Sequence, residues 1–565
     1  MDDATLMDAA SHAAHLPELR AHAEHRFAQA LESNVPERWR EAVAVYQQLI
    51  AHNPAQGEYW WRLAVSQDHL DVFSAAQDAY QQALALGTYR PWALFALGRL
   101  LARFGHPDEA ISWLTKAMEA RLGFLTDLQT DAAFDSLRAD PRFLDLLPPV
   151  VLEDTPREEA WRTDLAYLAR RLEQAHFNLF RHISREAWHT AVSDLRQRLP
   201  ALADHEIVAA LMRLVVLAGD GHTDIYPGGD LQLYPAQIQH VFDRIPVMFY
   251  QFSDGLHIMA AAAAFHELVG ARVLHIGKIG ANDILTALDP ITAKDNPMTL
   301  RWLGPFLLTY PHLLHALGVA DTPDRLTLSV ATVDGGAVTV TVPAETRPEG
   351  LHYRIPPAEW ITMRANPTAP LPFWLRDPNN PYWFDYLVAE GVVYCQCNQI
   401  QHKEDESLDA FWDRLFGFIA THEVAALILD LRLNNGGNLM LNPLLIHQLI
   451  RATHINQPGR LFTIIGRRTF SAAMHLTAQL ALHTHTLFVG EPTGSRPNFV
   501  GEVNQFRLPY SGLIVSASNL YQQGSDPWDQ RIWIAPDISA ELSATDMRMD
   551  HDPALAAILA YVGHR

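Results

Sequence analysis

Cysteine is nearly absent from this chain: there are two in 565 residues, Cys395 and Cys397. That excludes a disulfide framework of the kind that staples small secreted domains. Two apart on an expected strand, the pair shares one face and reads as small buried apolar side chains. Positive charge is also scarce, with 43 Lys and Arg against 64 Asp and Glu and a formal net charge of −21. This excludes nucleic acid as a partner, because phosphate binding needs a concentration of cations. Only four of the cations are lysines, Lys116, Lys278, Lys294 and Lys403, and none of them follows residue 403. Long hydrophobic runs are missing: the apolar stretch around Ile258–Phe265 is far too short to span a bilayer. The opening MDDATLMDAASHAAH has neither the basic n-region nor the apolar h-region of a leader peptide. A soluble, cytoplasmic protein is expected, with no membrane partner.

What is present is ordinary core-forming material, 48% hydrophobic and 19% charged, enough for two to four domains at roughly 150 residues each. The N-terminal part repeats itself. Ala42, Ala76 and Ala110 recur at a step of 34 residues, and Tyr46, Tyr80 and Leu114 keep that step. Trp60-x-x-Leu63-Ala64 is answered by Leu94-x-x-Leu97-Gly98. Small residues let paired helices approach and large ones fill the groove, a pattern that resembles the tetratricopeptide repeat. Residues 1–149 are therefore expected to form a helical repeat domain that contacts a protein or peptide partner. Leu128–Leu147 is its terminating unit, and Pro148-Pro149 marks the boundary.

Residues 150–225 read as a helical bundle ending in the loop that carries His222, which the preceding glycine lets the backbone present at a tip. Residues 226–385 are rich in short strands, with a helical segment near Met298–Leu317 and a long loop, Pro356–Tyr382, anchored by aromatics. His312 and His315, three apart, are expected on a helix surface, and His483 and His485 as a surface or sheet-edge pair. No metal or cofactor is expected. Residues 386–565 turn to α/β: strand 392–396, helix 408–421, strand 425–431, helix 439–453, strand 461–465, helix 471–484 and strand 487–490. In such sheets active groups collect at the carboxyl ends of strands. Asn434–Asn438, Ser471 and Glu491 all occupy that position. At Ser471 a buried strand feeds a helix, so the hydroxyl either protrudes as a nucleophile beside bare backbone N–H groups or serves as an N-cap.

Four ordered motifs then carry a resemblance: GDGHT ending at Thr223, DLRLNNGG at 430–437, TFSAA at 469–473 and GEPTG at 490–494. With the closing segment 536–559, the chain from about 155 to 560 resembles the tail-specific and tricorn-type serine peptidases, the S41 group. The fold this implies is α + α/β, with a crotonase/ClpP-like α/β peptidase core behind the helical repeats, the helical bundle and the mixed β-rich middle region. One branch of the group uses a lysine after the serine, and no lysine follows Ser471 here. The other uses an upstream histidine. The resemblance therefore implies Ser471 as nucleophile and His222 as general base, with an oxyanion held by the N–H of Ala472 and that of Gly436 or Gly437. For the acid that orients His222 it implies Asp529, shortly before Pro536-Asp537, with Glu491 as substitute. Gly221 stands where that branch has a serine. His475, one turn beyond Ser471, is a competing base that would lie behind the nucleophile. The implied activity is hydrolysis of peptides or unfolded protein. The alternatives are a catalytically inactive scaffold that binds peptides or ligands, and an esterase or amidase acting on small acyl substrates.

Overall fold

The computed structural model describes residues 3–120, 126–227, 234–346 and 356–564. They form two compact units. The first comprises Met1–Leu152, Tyr167–His176 and Asn504–Pro509, and the second the remainder.

In the first unit, antiparallel helices follow one another: Pro36–His52, Gly57–His69, Phe73–Ala85, Arg90–Arg103 and Pro107–Glu119. The 34-residue step has a packing cause. Ala42, Ala76 and Ala110 are all fully buried, and Tyr46, Tyr80 and Leu114 fill the grooves beside them. Gly98 shows how close the helices come, because a Cβ there would lie 2.7 Å from Leu114 Cγ. Deleting part of such a side chain leaves a hole that close-packed neighbours refill only in part. Leu114→Ala is expected to cost about 2–5 kcal/mol of this unit's stability, read as a lower urea midpoint by circular dichroism. An unchanged midpoint would show that Leu114 does not fill the groove.

The second unit is built on a six-stranded sheet. Its order is Ile538–Ser539, Leu487–Gly490, Leu461–Ile465, Ala426–Asp430, Val392–Cys397, Tyr382–Leu387. All neighbours are parallel except the last pair. The central strands are apolar throughout because both faces are covered. Val393, Cys395, Leu427, Leu429, Leu461 and Ile465 point to the side packed by helices Leu408–Thr421, Asn442–Arg451 and Ser471–His483. The alternate residues Val392, Tyr394, Ala426, Ile428, Phe462 and Ile464 point to the other side, against the C-terminal helix Pro553–Gly563. Cys395 and Cys397 are thus on one face, buried and unbridged, as their spacing requires. A second sheet is antiparallel, in the order Val247–Phe252, Gly255–Ala261, Arg272–Ile276, Arg325–Ala331, Ala337–Pro343. The fold class read from the sequence, helical repeats followed by mixed α/β structure, is the one observed. Among the described residues no helix is long and apolar enough to cross a membrane.

Three local expectations need correction. The helix expected from 439 begins as a single 3-10 turn, Leu439–Leu441, and becomes α-helical only over Asn442–Arg451. The described part of the expected loop 356–382 contains a short strand, Ile361–Thr362, and a helical turn, Phe373–Arg376, held by buried Trp360 and Trp374. His312 is not on a surface: it is 8% exposed, in the helix Pro311–Ala316 that packs on the helix Asp204–Val216. A helix so short has no fixed solvent side, so its residue spacing carried no burial signal.

Candidate active site

The parallel strands Ala426–Asp430, Leu461–Ile465 and Leu487–Gly490 deliver their carboxyl ends to one edge of the sheet. The turn after Leu461–Ile465 is tightly closed. Thr469 N–H donates to Gly466 O (2.8 Å), Gly466 N–H to Thr469 Oγ1 (3.0 Å), and Thr469 Oγ1 to Leu431 O (3.0 Å). Phe470 N–H donates to Asn434 O at 3.2 Å, which bolts the turn to the neighbouring strand's loop. Phe470, in extended conformation, occupies the N-cap position without a side-chain cap bond. Ser471 is the first helical residue, and its φ is +52°. The N-cap alternative for Ser471 is therefore not what the backbone shows. A left-handed φ at a residue other than glycine costs about 1–3 kcal/mol and is sustained where the surroundings over-determine it, typically at functional sites. The following N–H, that of Ala472, belongs to the first helical turn and has no acceptor within its own helix.

The Asn434–Asn438 loop presses on this turn. A Cβ on Gly436 (φ +124°) would come within 2.7 Å of Ser471 Cβ and 3.2 Å of its Oγ. On Gly437 (φ +132°) it would lie 2.1 Å from Ile400 O. Of the two glycine amides expected at the oxyanion position, that of Gly436 donates to Asn434 Oδ1 at 2.9 Å, while Asn434 Nδ2 donates to Cys397 O. Asn434 is a residue whose role the sequence reading missed. Its signal was an asparagine two residues before a glycine that needs a positive φ.

His222 sits on a turn stitched by acidic side chains. Asp220 Oδ1 accepts from the N–H of His222 (2.9 Å), the N–H of Thr223 (2.8 Å) and Ser518 Oγ (2.7 Å). Asp295 Oδ1 accepts from Gly221 N–H at 3.0 Å. The imidazole stacks on Phe470, with centroids 4.3 Å apart and planes at 26°, and on Phe499 from 5.4 Å at 7°. Phe470 is the residue before Ser471, so the structure brings His222 against the elbow. Both ring nitrogens are sealed from solvent and have no hydrogen-bond partner among the described residues. Burial pushes the ring's pKa down to about 4, and Asp220 opposes that only weakly. Position 221 is also explained: a Cβ there would lie 3.1 Å from Asp295 Cγ and from the Phe470 ring, which leaves no room for a serine without adjustment.

The acids named from the sequence are engaged elsewhere. Arg531 holds Asp529 with a contact of 2.7 Å and lowers its pKa to about 2. Glu491 is buried against Arg467, whose Nε donates to it at 2.7 Å. Burial acts to raise the Glu491 pKa, but the Arg467 charge and hydrogen bonds outweigh it, and the group lies below its ordinary value. His475 meets Asn442 Nδ2 through Nδ1 at 3.2 Å. Beside the elbow a cavity of about 320 Å³ opens along Ile464–Arg468, Gly490 and Glu491, walled by Trp302, Trp360, Trp374, Tyr250, Met259 and Leu433.

Residues 93–128 match the tetratricopeptide repeat family. Among solved structures, mature CPAF complexed with lactacystin is similar at a TM-score of 0.50 and 13% identity, over 72% of this chain and 99% of that one. The photosystem II D1 C-terminal processing protease is similar at 0.31 and 11% identity, over 68% and 94% of the two chains. The tricorn protease follows at 0.35 and 14%, over 72% and 37%. No curated protein sequence matches the chain. The chain thus shares its fold with mature CPAF over most of that structure's length, and residues 93–128 carry a tetratricopeptide repeat.

Because the glycine backbone and the serine side chain share one space, Gly436→Ala is expected to destabilise the second unit by about 1–3 kcal/mol. Urea denaturation of the variant beside the wild type measures this. Equal midpoints would mean that the loop does not press on the elbow.

Proposed function

We propose that this protein is a serine peptidase that hydrolyses peptide bonds in peptides or unfolded protein, with Ser471 as nucleophile and His222 as general base. The observation that carries the reading is the left-handed Ser471 at a strand-to-helix turn, with a glycine loop pressed against its hydroxyl. A serine hydroxyl is too weak an acid to attack an amide unaided near neutral pH. His222 takes its proton as Oγ bonds to the carbonyl carbon, and the carbonyl oxygen gains the negative charge. The N–H groups of Ala472 and Gly437 receive that oxygen, with the Gly436 amide joining them if it releases Asn434. The proton then passes from the imidazole to the departing amine, and water repeats the sequence on the acyl-enzyme. Asp220, whose charge acts on the ring, favours the transient imidazolium. Asp529 and Glu491, expected to orient the ring, serve in this reading to neutralise Arg531 and Arg467.

The repeat helices, in the same proposal, bind a protein partner, and the chain works in the cytoplasm. A binding scaffold without turnover is the second reading. It is favoured by two observations: the ring nitrogens of His222 have no hydrogen-bond partner among the described residues, and the Gly436 amide is already bonded to Asn434.

Digestion of a mixed peptide library, followed by mass spectrometry, separates the two. The wild type is expected to cleave, and Ser471→Ala and His222→Ala to lose kcat/KM by roughly a thousandfold or more. An intact library with the folded wild type would leave the scaffold reading standing, and cleavage of small esters alone would indicate an esterase.

The pH profile adds an independent check. The neutral imidazole is the active form, and burial lowers its pKa from 6.5 to about 4, so activity is expected to persist on acidification until about pH 4. The sign follows directly: a base whose protonated form is disfavoured stays deprotonated to lower pH. An acid limb near 6.5 in kcat/KM would show that the working imidazole is solvated.

A further inference from the structure

Three histidines from two separate helices converge away from the elbow. His205 opens the helix Asp204–Val216, and His312 and His315 lie on the helix Pro311–Ala316. His205 Nε2 and His315 Nδ1 are 2.9 Å apart. His312 lies 5.6 Å from the His205 ring, centroid to centroid, and 5.3 Å from that of His240. Glu206 adds a carboxylate: ligand atoms of His205, Glu206 and His315 all fall within 4.8 Å of one another. One Glu206 oxygen, Oε2, caps the helix by accepting Ala203 N–H at 2.8 Å, which fixes the side chain over its own first turn.

Two further facts distinguish this cluster from surface histidines that happen to meet. His205 and His312 are each only 8% exposed, and His312 Nδ1 is buried without a hydrogen-bond partner among the described residues. An orphaned buried nitrogen costs about 1–3 kcal/mol, and few are left in folded proteins.

We propose that His205, Glu206 and His315, backed by His312, form a binding site for a divalent transition-metal ion of the zinc type. Imidazole nitrogens with one carboxylate are a donor set for zinc and its first-row neighbours; calcium and magnesium prefer oxygen shells. Nitrogen ligands stand about 2.0–2.1 Å from zinc, so two on a tetrahedral ion are about 3.3 Å apart. The His205–His315 pair therefore opens by about half an ångström and exchanges its shared hydrogen bond for two metal bonds. The ion would cross-link the first turn of Asp204–Val216 to Pro311–Ala316. The span from His205 to Val216 is about 17 Å at 1.5 Å per residue, and the chain reaches His222 only beyond it. The role is accordingly structural and takes no part in the reaction.

The test uses the full chain, stripped with a chelator and titrated with zinc chloride, and with cobalt(II) as a spectroscopic substitute. One equivalent of zinc is expected to survive desalting, with a tetrahedral cobalt spectrum and a higher Tm in the presence of zinc. His315→Gln and Glu206→Gln are expected to weaken binding at least about tenfold and to abolish the zinc-dependent rise in Tm. His483→Ala, a distant histidine of the same chain, is the control and should bind as the wild type does. Substoichiometric zinc in the wild type, or equal retention by His315→Gln, Glu206→Gln and wild type, would overturn the proposal and assign the metal to scattered histidines among the chain's 28. Circular dichroism of each variant without metal separates loss of the site from loss of the fold.

Discussion

The contact between Gly436 and Ser471 is the constraint on which the site depends. A serine in the left-handed region tends to relax into an ordinary helical start, and nothing in its own residue type prevents that. What prevents it is the set of attachments around it. Thr469 ties the turn to Leu431 O, and Phe470 ties it to Asn434 O. On the other side Gly494 N–H donates to Thr469 O at 3.1 Å. The turn is thus held by the loops leaving both neighbouring strands. Parallel strands are what make this possible, because only then do three consecutive loops emerge at one edge. The buried core beneath, apolar on both faces, sets the height at which those loops meet. A change in strand register would move the elbow away from the glycines, so the packing of Leu427, Leu429 and Ile465 bears on the geometry of a turn they never touch.

Charge is handled at this edge by pairing. Arg467 and Glu491 are both buried and answer each other, and Arg432 bridges Asp430 and Asp552. A buried ion left alone is strongly destabilising, so each pair is fixed by the cost of losing its partner. This explains why Glu491 lies so near the elbow without meeting the histidine. It also leaves the imidazole in a largely apolar setting between two phenylalanine rings. There burial favours the neutral form of the ring over the protonated one.

Much of this was legible in the sequence, for reasons that differ by element. The strand Leu461–Ile465 and the helix from Ser471 could be placed because a run of buried β-branched residues gives way to helix formers across one glycine. The repeat was legible because Ala42, Ala76 and Ala110 each sit where two helices touch, so the packing itself has the period. The side-chain partners were not legible. Asp529 pairs with an arginine two residues away, and Glu491 with one inside the elbow turn. Both arginines were visible, but a chain order does not say which of several cations a carboxylate meets in three dimensions. The side-chain role of Asn434 was missed for the same reason: its bond to Gly436 is a choice among acceptors that the loop's path decides.

The histidines show that limit most sharply. His312 and His315 alone suggest little, because the sequence around them offers no acidic neighbour at ligand spacing. The partner residues come from a helix more than a hundred positions earlier, His205 with Glu206 beside it. Ligand spacing along one segment detects sites built on a single loop or helix, and it is blind to those assembled between helices. Burial is the missing information. Once His312 is known to be enclosed with an orphaned nitrogen, a group that looked like surface decoration becomes an unsatisfied polar cluster inside the fold. Such a cluster is stable only if something compensates it, and two imidazoles sharing one hydrogen bond compensate it incompletely.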